Sequence, residues 1–268
     1  MKTQISSLEN SKATPNKRVQ LFGVQIDLYS MPETVDIITQ WLGQAEKNCK
    51  FVVTPNVDHI VKVQADIGLQ AAYKQAALVV TDGKPVVWAA SILGLSIPGT
   101  VPGSDLVPAI FDAAQANKKP IKVFLLGAMP GVADRAKDNI LEKWPVVNVV
   151  GTLSPDFGFD KDIIVSNSIC EMVNRSGADL LVLGLGAPKQ ELWITQYAPK
   201  VSVKVALCVG ATIDFLAGEK ARAPIWMRKV GLEWLHRMFT EPKRLAKRYF
   251  IDAVLFPKLV FKEWLLQR

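Results

Sequence analysis

Six short apolar runs, rich in β-branched residues and separated by stretches with helical periodicity, predict an α/β fold. Because the runs are continuous rather than alternating, they suit strands buried on both faces of a Rossmann-like, mostly parallel sheet with helices on both faces. The last fifth of the chain is basic and aromatic and predicts a C-terminal helical appendage. The expected organisation is a leader over residues 1–18, one α/β domain over 19–217 and an appendage over 218–268.

Each element has a local reason. The first eighteen residues, MKTQISSLENSKATPNKR, are polar, lack an apolar stretch of signal-peptide length and read as a disordered leader. Ser30 with Glu33 three residues on makes a capping box ahead of Val35, Ile38 and Trp41. The first strand is 51-FVVT-54; Pro55 keeps Thr54 extended, and Asn56 can cap a helix carrying Asp58 and His59. After 77-ALVVT-81, Asp82 leaves the strand end, Gly83 permits a sharp turn and Pro85 suits the first turn of a helix. Ser104 can cap a helix running to Asn117.

The strand 121-IKVFLLG-127 leads into GAMPG, a loop able to cradle phosphate, and a helix from Val132 that stops at Pro145. Following 146-VVNVVG-151, Asp160 and Asp162 form a DxD string, which reads as a capped helix start and not as a metal site. In 179-DLLVLGLG-186, Gly184 and Gly186 allow close backbone approach. Pro188 then starts a helix with Lys189 and Gln190 at its N-terminus, where anions bind. The sixth run is 203-VKVALCVG-210.

Composition narrows the function classes. With 268 residues and 49% apolar content the chain builds a sizeable core, which excludes disorder of the whole. Cys49, Cys170 and Cys208 show no paired or metal-ligand spacing and read as reduced, buried thiols of a cytosolic protein. Residues 1–217 balance to zero charge, whereas 218–268 carry 12 basic and 5 acidic groups, the whole net charge of +7. Among those cations stand Trp226, Trp234, Phe239, Phe250, Phe256, Phe261 and Trp264. Rings below the headgroups and cations among the phosphates describe a segment lying in an anionic membrane interface. Nucleic acid presents phosphates too, but the apolar content favours lipid. No run reaches the roughly 18 apolar residues of a spanning helix, so the attachment is expected to be peripheral.

The motifs TPNVDH at 54–59, DG at 82–83, GSDL at 103–106, GLGAPKQE at 184–191, VGATIDF at 209–215 and RAPIWMRKVGLEWLHRMFTEPKRLAKRY at 222–249 together resemble the WecG/TagA/CpsF family, glycosyltransferase family 26. The resemblance spans about Leu21 to Tyr249. It implies an inverting transferase that moves a sugar from a UDP-sugar donor to a polyprenyl-diphosphate-linked acceptor. Family donors carry N-acetylmannosamine, its uronic acid or glucose-type sugars, and the work is done at the inner face of the plasma membrane, in cell-surface polysaccharide or wall polymer synthesis. By resemblance, Asp82 is the general base. Thr54, Asn56 and Gln190 line its pocket, Asp214 lies near the nucleotide, and Arg237, Arg244 and Lys247 meet diphosphate groups. Two positions depart from the family: Thr100 stands where an Arg is usual before GSDL, and Lys247 where an Arg is usual.

The chemistry agrees, since inversion needs one carboxylate to accept the hydroxyl proton and cations or helix dipoles to hold the departing diphosphate. No cofactor and no metal is expected. His59 reads as structural. A dinucleotide-dependent oxidoreductase would want G-x-G-x-x-G after a strand, and 184-GLGAPK-189 lacks its third glycine. A non-catalytic membrane- or nucleic-acid-binding module has no use for TPN, DG and PKQE loops on one sheet edge. A nucleic-acid partner is not expected; self-association into a homo-oligomer is compatible with the sequence.

Overall fold

The computed structural model of the chain describes residues 17–266; the expected leader lies outside these except for Lys17 and Arg18. Arg18 already belongs to a strand, β1 (Arg18–Leu21), which pairs antiparallel with β2 (Val24–Asp27) in a hairpin that the apolar-run reading missed. The tight turn holds Phe22 and Gly23 at φ 52° and 78°. Asp27 ties this hairpin to the main sheet. Its carboxylate pairs with the Arg18 guanidinium at 2.5 Å and accepts the Val79 backbone N–H at 2.8 Å.

The helices and strands then alternate as α1 (Met31–Leu42), β3 (Lys50–Val53), α2 (Val57–Val63), α3 (Ile67–Gln75), β4 (Leu78–Val79), α4 (Lys84–Ile92), α5 (Gly103–Ala116), β5 (Ile121–Gly127), α6 (Val132–Lys143) and β6 (Val147–Leu153). They continue with α7 (Ile163–Ser176), β7 (Leu180–Gly184), α8 (Lys189–Tyr197), β8 (Val205–Cys208) and α9 (Thr212–Leu216). Among its described residues the appendage carries three helices: α10 (Ile225–Lys229), α11 (Glu233–Thr240) and α12 (Pro242–Leu266). The six-stranded sheet is parallel, in the order β4-β3-β8-β7-β5-β6. All six expected strands are present. Asn56 and Asp162 cap α2 and α7 as expected, and the Ser30–Glu33 capping box is formed in both directions. Helix α5 departs from expectation. It begins at Gly103 behind extended Pro102, so Ser104 sits inside its first turn and caps nothing.

Successive strand residues enter opposite layers. Val52, Leu78, Leu125, Val182 and Leu207 meet α1, α5 and α6, whereas Val53, Val79, Leu126, Leu183 and Cys208 meet α2, α3, α4, α7 and α8. This two-sided burial requires the continuous apolar runs. Helix α12 joins the second layer by way of Phe256, whose ring meets Phe22 edge-on with centroids 5.4 Å apart. Leu245, nearer the start of α12, is buried as well.

The closest backbone approach joins β5 and β7 at their carboxyl ends. A Cβ on Gly127 would lie 2.5 Å from the Gly184 carbonyl carbon, and Gly127 has φ 126°. Overpacking and a left-handed non-glycine residue each cost on the order of 1–3 kcal/mol, so Gly127→Ala should lower the melting temperature by roughly 5–15 °C. An unchanged melting curve would show that this contact relaxes freely.

Candidate active site

Parallel strands buried on both faces offer polar groups only at their ends, and here the carboxyl ends of β3 and β4 lie side by side. The Asp82 backbone N–H donates to the Pro55 carbonyl at 2.8 Å, which locks the two strand-end loops together. Val101 N–H donates to Thr81 at 2.7 Å, and the Thr81 hydroxyl donates to Gly99 at 3.1 Å, which brings Thr100 to the same place. Over these loops the appendage closes a cavity of about 420 Å³. Asn56, Asp82, Lys84 and Thr100 line its body side, and Arg228, Glu233, Arg237 and Arg248 its appendage side.

Arg222 holds the two sides together. Its guanidinium donates to the Ser104 carbonyl at 3.0 Å and to the Asp105 carboxylate at 2.9 Å, pairs with Glu233 at 3.2 Å, and lies 5.1 Å from the centre of the Phe215 ring. The guanidinium of Arg237 faces the same ring at 6.0 Å. Phe215 is thus flanked by two cations. At the turn before α11, Gly231 has φ 76° and presses on α4: a Cβ there would come within 2.7 Å of Lys84 Cβ.

Asp82 keeps part of its surface open to the cavity, yet protein replaces most of the water around it. Burial pushes its carboxyl up to about 7, with Glu233 and Asp105 raising it further and Arg237 and Arg222 opposing them. A carboxylate that exchanges its proton near neutrality is matched to general-base work.

The other expected residues are distributed as follows. Asn56 caps α2, accepting the His59 N–H at 3.3 Å, and reaches the cavity. Thr54 and Gln190, expected on the cavity wall, are buried beneath its floor. Thr54 donates its hydroxyl to the Cys208 carbonyl at 3.4 Å, and Gln190 accepts the Gly210 N–H at 3.1 Å while donating to Glu191 at 2.8 Å. They brace the loops after β3 and β8 and do not meet the cavity space. Buried His59 is bonded to the Tyr73 hydroxyl at 3.1 Å, and burial lowers its basicity, as a structural histidine requires.

Gly184 serves the contact with Gly127. Gly186, at φ 78°, makes the turn before α8. Lys189 points to the loop after β6, 3.5 Å from Asp160 and 5.7 Å from the ring centre of Phe157, and does not line the cavity. Asp214 lies 4.0 Å from Lys220, next to cavity-lining Phe215. Arg244 is exposed and paired with Glu241 at 2.5 Å, and Lys247 is exposed. Neither belongs to the wall. Asp160 and Asp162 part company, the second capping α7; among the described residues no group of three or more His, Cys, Asp or Glu is gathered for a metal ion. Sequence reasoning passed over Trp88, Asp105, Arg222, Glu233 and Arg248. Arg222 and Glu233 stand inside the quoted RAPIW and GLEW motifs, the one signal that could have drawn them out.

Over residues 19–268 the chain matches the family described as glycosyl transferase WecG/TagA/CpsF. The chain belongs to this family. Two Staphylococcus aureus proteins, from strains MRSA252 and NCTC 8325 / PS 47, are each 27% identical to it over 239 residues, covering 89% of this chain and 91% of the relative. Both are named N-acetylglucosaminyldiphosphoundecaprenol N-acetyl-beta-D-mannosaminyltransferase. As a member of the WecG/TagA/CpsF family the chain is a glycosyltransferase.

In this WecG/TagA/CpsF protein the raised Asp82 carboxyl has a cost in stability. Between about pH 4 and 7 the folded chain holds a proton that the unfolded chain has released, so this group destabilises the fold as pH rises and does so fully above about 7. Asp82→Asn should therefore melt higher than the parent at pH 8, and the gap should close toward pH 4. Equal melting temperatures at both pH values would mean that Asp82 is not strained by its surroundings.

Proposed function

We propose that the chain is an inverting glycosyltransferase that moves a sugar from a UDP-sugar to a saccharide carried on polyprenyl diphosphate. The observation that carries this reading is one carboxyl group, Asp82, pushed up to about 7 and facing Arg237 in a cavity at the strand ends. Asp82 takes the proton of the acceptor hydroxyl as that oxygen bonds to the anomeric carbon. The bond from that carbon to the donor diphosphate breaks, and its electron pair leaves on UDP. Arg237 stabilises the departing charge, and Asn56 orients substrate at the opposite wall. The printed activity of the two relatives supports an N-acetylmannosamine donor and an N-acetylglucosamine diphosphate-lipid acceptor. Cell-surface polysaccharide or wall polymer synthesis follows from those substrates.

Residues 19–217 form the catalytic body in this reading, and 218–268 attach it to the inner face of the plasma membrane. No helix among the described residues is long and apolar enough to cross a membrane. Instead Trp226, Phe239, Phe250 and Phe261 are largely exposed on the basic appendage. Phe256, expected among the lipid-facing rings, is turned inward onto Phe22.

Asp82→Asn should reduce UDP release from the UDP-sugar, with a short-chain polyprenyl-diphosphate acceptor, by about 10² to 10⁴. The parent's kcat/KM should rise with pH through about 7, because the base works only when ionised. Retention of a tenth of the turnover by the Asn variant would remove Asp82 from the mechanism.

The full chain should sediment with phosphatidylglycerol vesicles and do so less as salt shortens the Debye length below roughly 8 Å, leaving a salt-resistant remainder. Phe239→Ser with Phe250→Ser should abolish the remainder and spare transfer to a water-soluble acceptor. Unchanged sedimentation in high salt would place the lipid contact elsewhere.

A further inference from the structure

Asp252 on α12 is buried, yet it lines the cavity, and among the described residues its carboxyl has neither a hydrogen bond nor an ion pair. The other carboxyl on this side is better provided for. Asp58 on α2 pairs with Lys62 at 2.8 Å and has Arg248 at 3.8 Å. Helix α12 packs along α2, so Asp252 faces Asp58 and Lys62 across the contact and Arg248 on its own helix. Burial first and Asp58 second push its carboxyl up to about 6, which leaves it ionised at neutral pH. A buried carboxylate without donors is costly, and one that opens onto a cavity is suited to a ligand that supplies them.

Charge decides the class of that ligand. A phosphate would be repelled by Asp252 and Asp58, and a metal ion by Lys62 and Arg248 beside them. An uncharged donor, a hydroxyl or an amide N–H, meets neither objection. Position narrows it further. The charges that bear on Asp82 are Glu233, Arg237, Asp105 and Arg222, and Asp252 is not among them. It belongs instead to the wall that holds Asn56 and Asp58, whereas Phe215 lies on the other side with Arg222 and Arg237. The cavity thus has two carboxyl acceptors set apart, one at the reacting centre and one away from it. Trp88, half-exposed and also on the cavity wall, offers flat apolar surface of the kind that the face of a sugar ring covers.

We infer that Asp252 is a specificity-determining residue that accepts a hydrogen bond from the acceptor saccharide, at a hydroxyl or amide N–H other than the attacking hydroxyl. This rests on the reading of the chain as a transferase to a saccharide on polyprenyl diphosphate. Steady-state UDP release by the full-length protein tests it, with a short-chain polyprenyl-diphosphate N-acetylglucosamine and a series of analogues, each lacking one hydroxyl or the acetamido group. For one analogue that keeps the attacking hydroxyl, the parent should lose about tenfold or more in kcat/KM. Asp252→Ala should lose as much on the complete acceptor and use that analogue equally well, since the two changes remove the same interaction. Asp252→Asn keeps an accepting oxygen and should fall between. The UDP-sugar KM should stay within about twofold throughout. Asp252→Ala removes a buried charge and should melt no lower than the parent at pH 8; Asp252→Asn, which keeps the shape, carries the comparison if it does. A parent indifferent to every analogue, variants that discriminate as the parent does, or a rise in the UDP-sugar KM instead overturns the assignment. A parent that transfers sugar to no such acceptor would defeat the functional reading itself. Calorimetric binding of methyl N-acetylglucosaminide, with UDP saturating, would then decide the inference: heat with the parent and none with Asp252→Ala supports it, and equal heats or none with either overturn it.

Discussion

Burial of the central sheet on both faces governs where everything else can stand. Residues such as Val52 and Val53 point into opposite hydrocarbon layers, so the middles of the inner strands β3, β8 and β7 are wholly apolar. At the strand ends the Asp82 N–H donates to the Pro55 carbonyl and the Val101 N–H to the Thr81 carbonyl, which fixes one loop against the next. Rigidity at this edge comes from below. Thr54 donates to the Cys208 carbonyl, and Gln190 accepts the Gly210 N–H. Both are buried, and neither lines the cavity.

The appendage completes what the edge begins. Without α10 to α12, Asp82 would face water and behave as an ordinary surface carboxylate. With them it is surrounded by Glu233, Arg237, Asp105 and Arg222, and burial outweighs the two cations. Arg222 is the point at which charge and packing meet, because it spans from α5 to α11 while lying on Phe215. The proposed lipid contact and the proton affinity of Asp82 would thereby share one segment: the helices that expose Phe239 and Phe250 outward present Arg237 and Arg248 inward.

Much of this was legible in the chain. The six parallel strands announced themselves as uninterrupted apolar runs, and Asn56 and Asp82 as polar residues at the ends of two of them. The β1–β2 hairpin was missed because its strands are only four residues long, although Val19, Leu21, Val24 and Ile26 alternate around a Phe-Gly turn, which is a readable hairpin pattern. Depth was not legible. Thr54 differs from Asn56 by two positions, yet one is under the floor and the other on the wall, a distinction made by how the loops settle on β8. The appendage shows the same limit at higher resolution. Lys247 and Arg248 are adjacent cations in KRLAKRY, and only the docking of α12 against α2 turns the second inward and the first to solvent.

Gly231 carries a consequence of a different kind. Its α-hydrogen side faces Lys84 and Trp88 with no space for a methyl group, so the separation between appendage and body is set at this point by the smallest residue available. Any larger side chain would act as a spacer, tilting α11 away from α4 and admitting water to the carboxyl of Asp82. The acid's proton affinity would then fall toward that of a free aspartate. A residue with no side chain thus bears on the proton affinity of Asp82, the base of the proposed reaction.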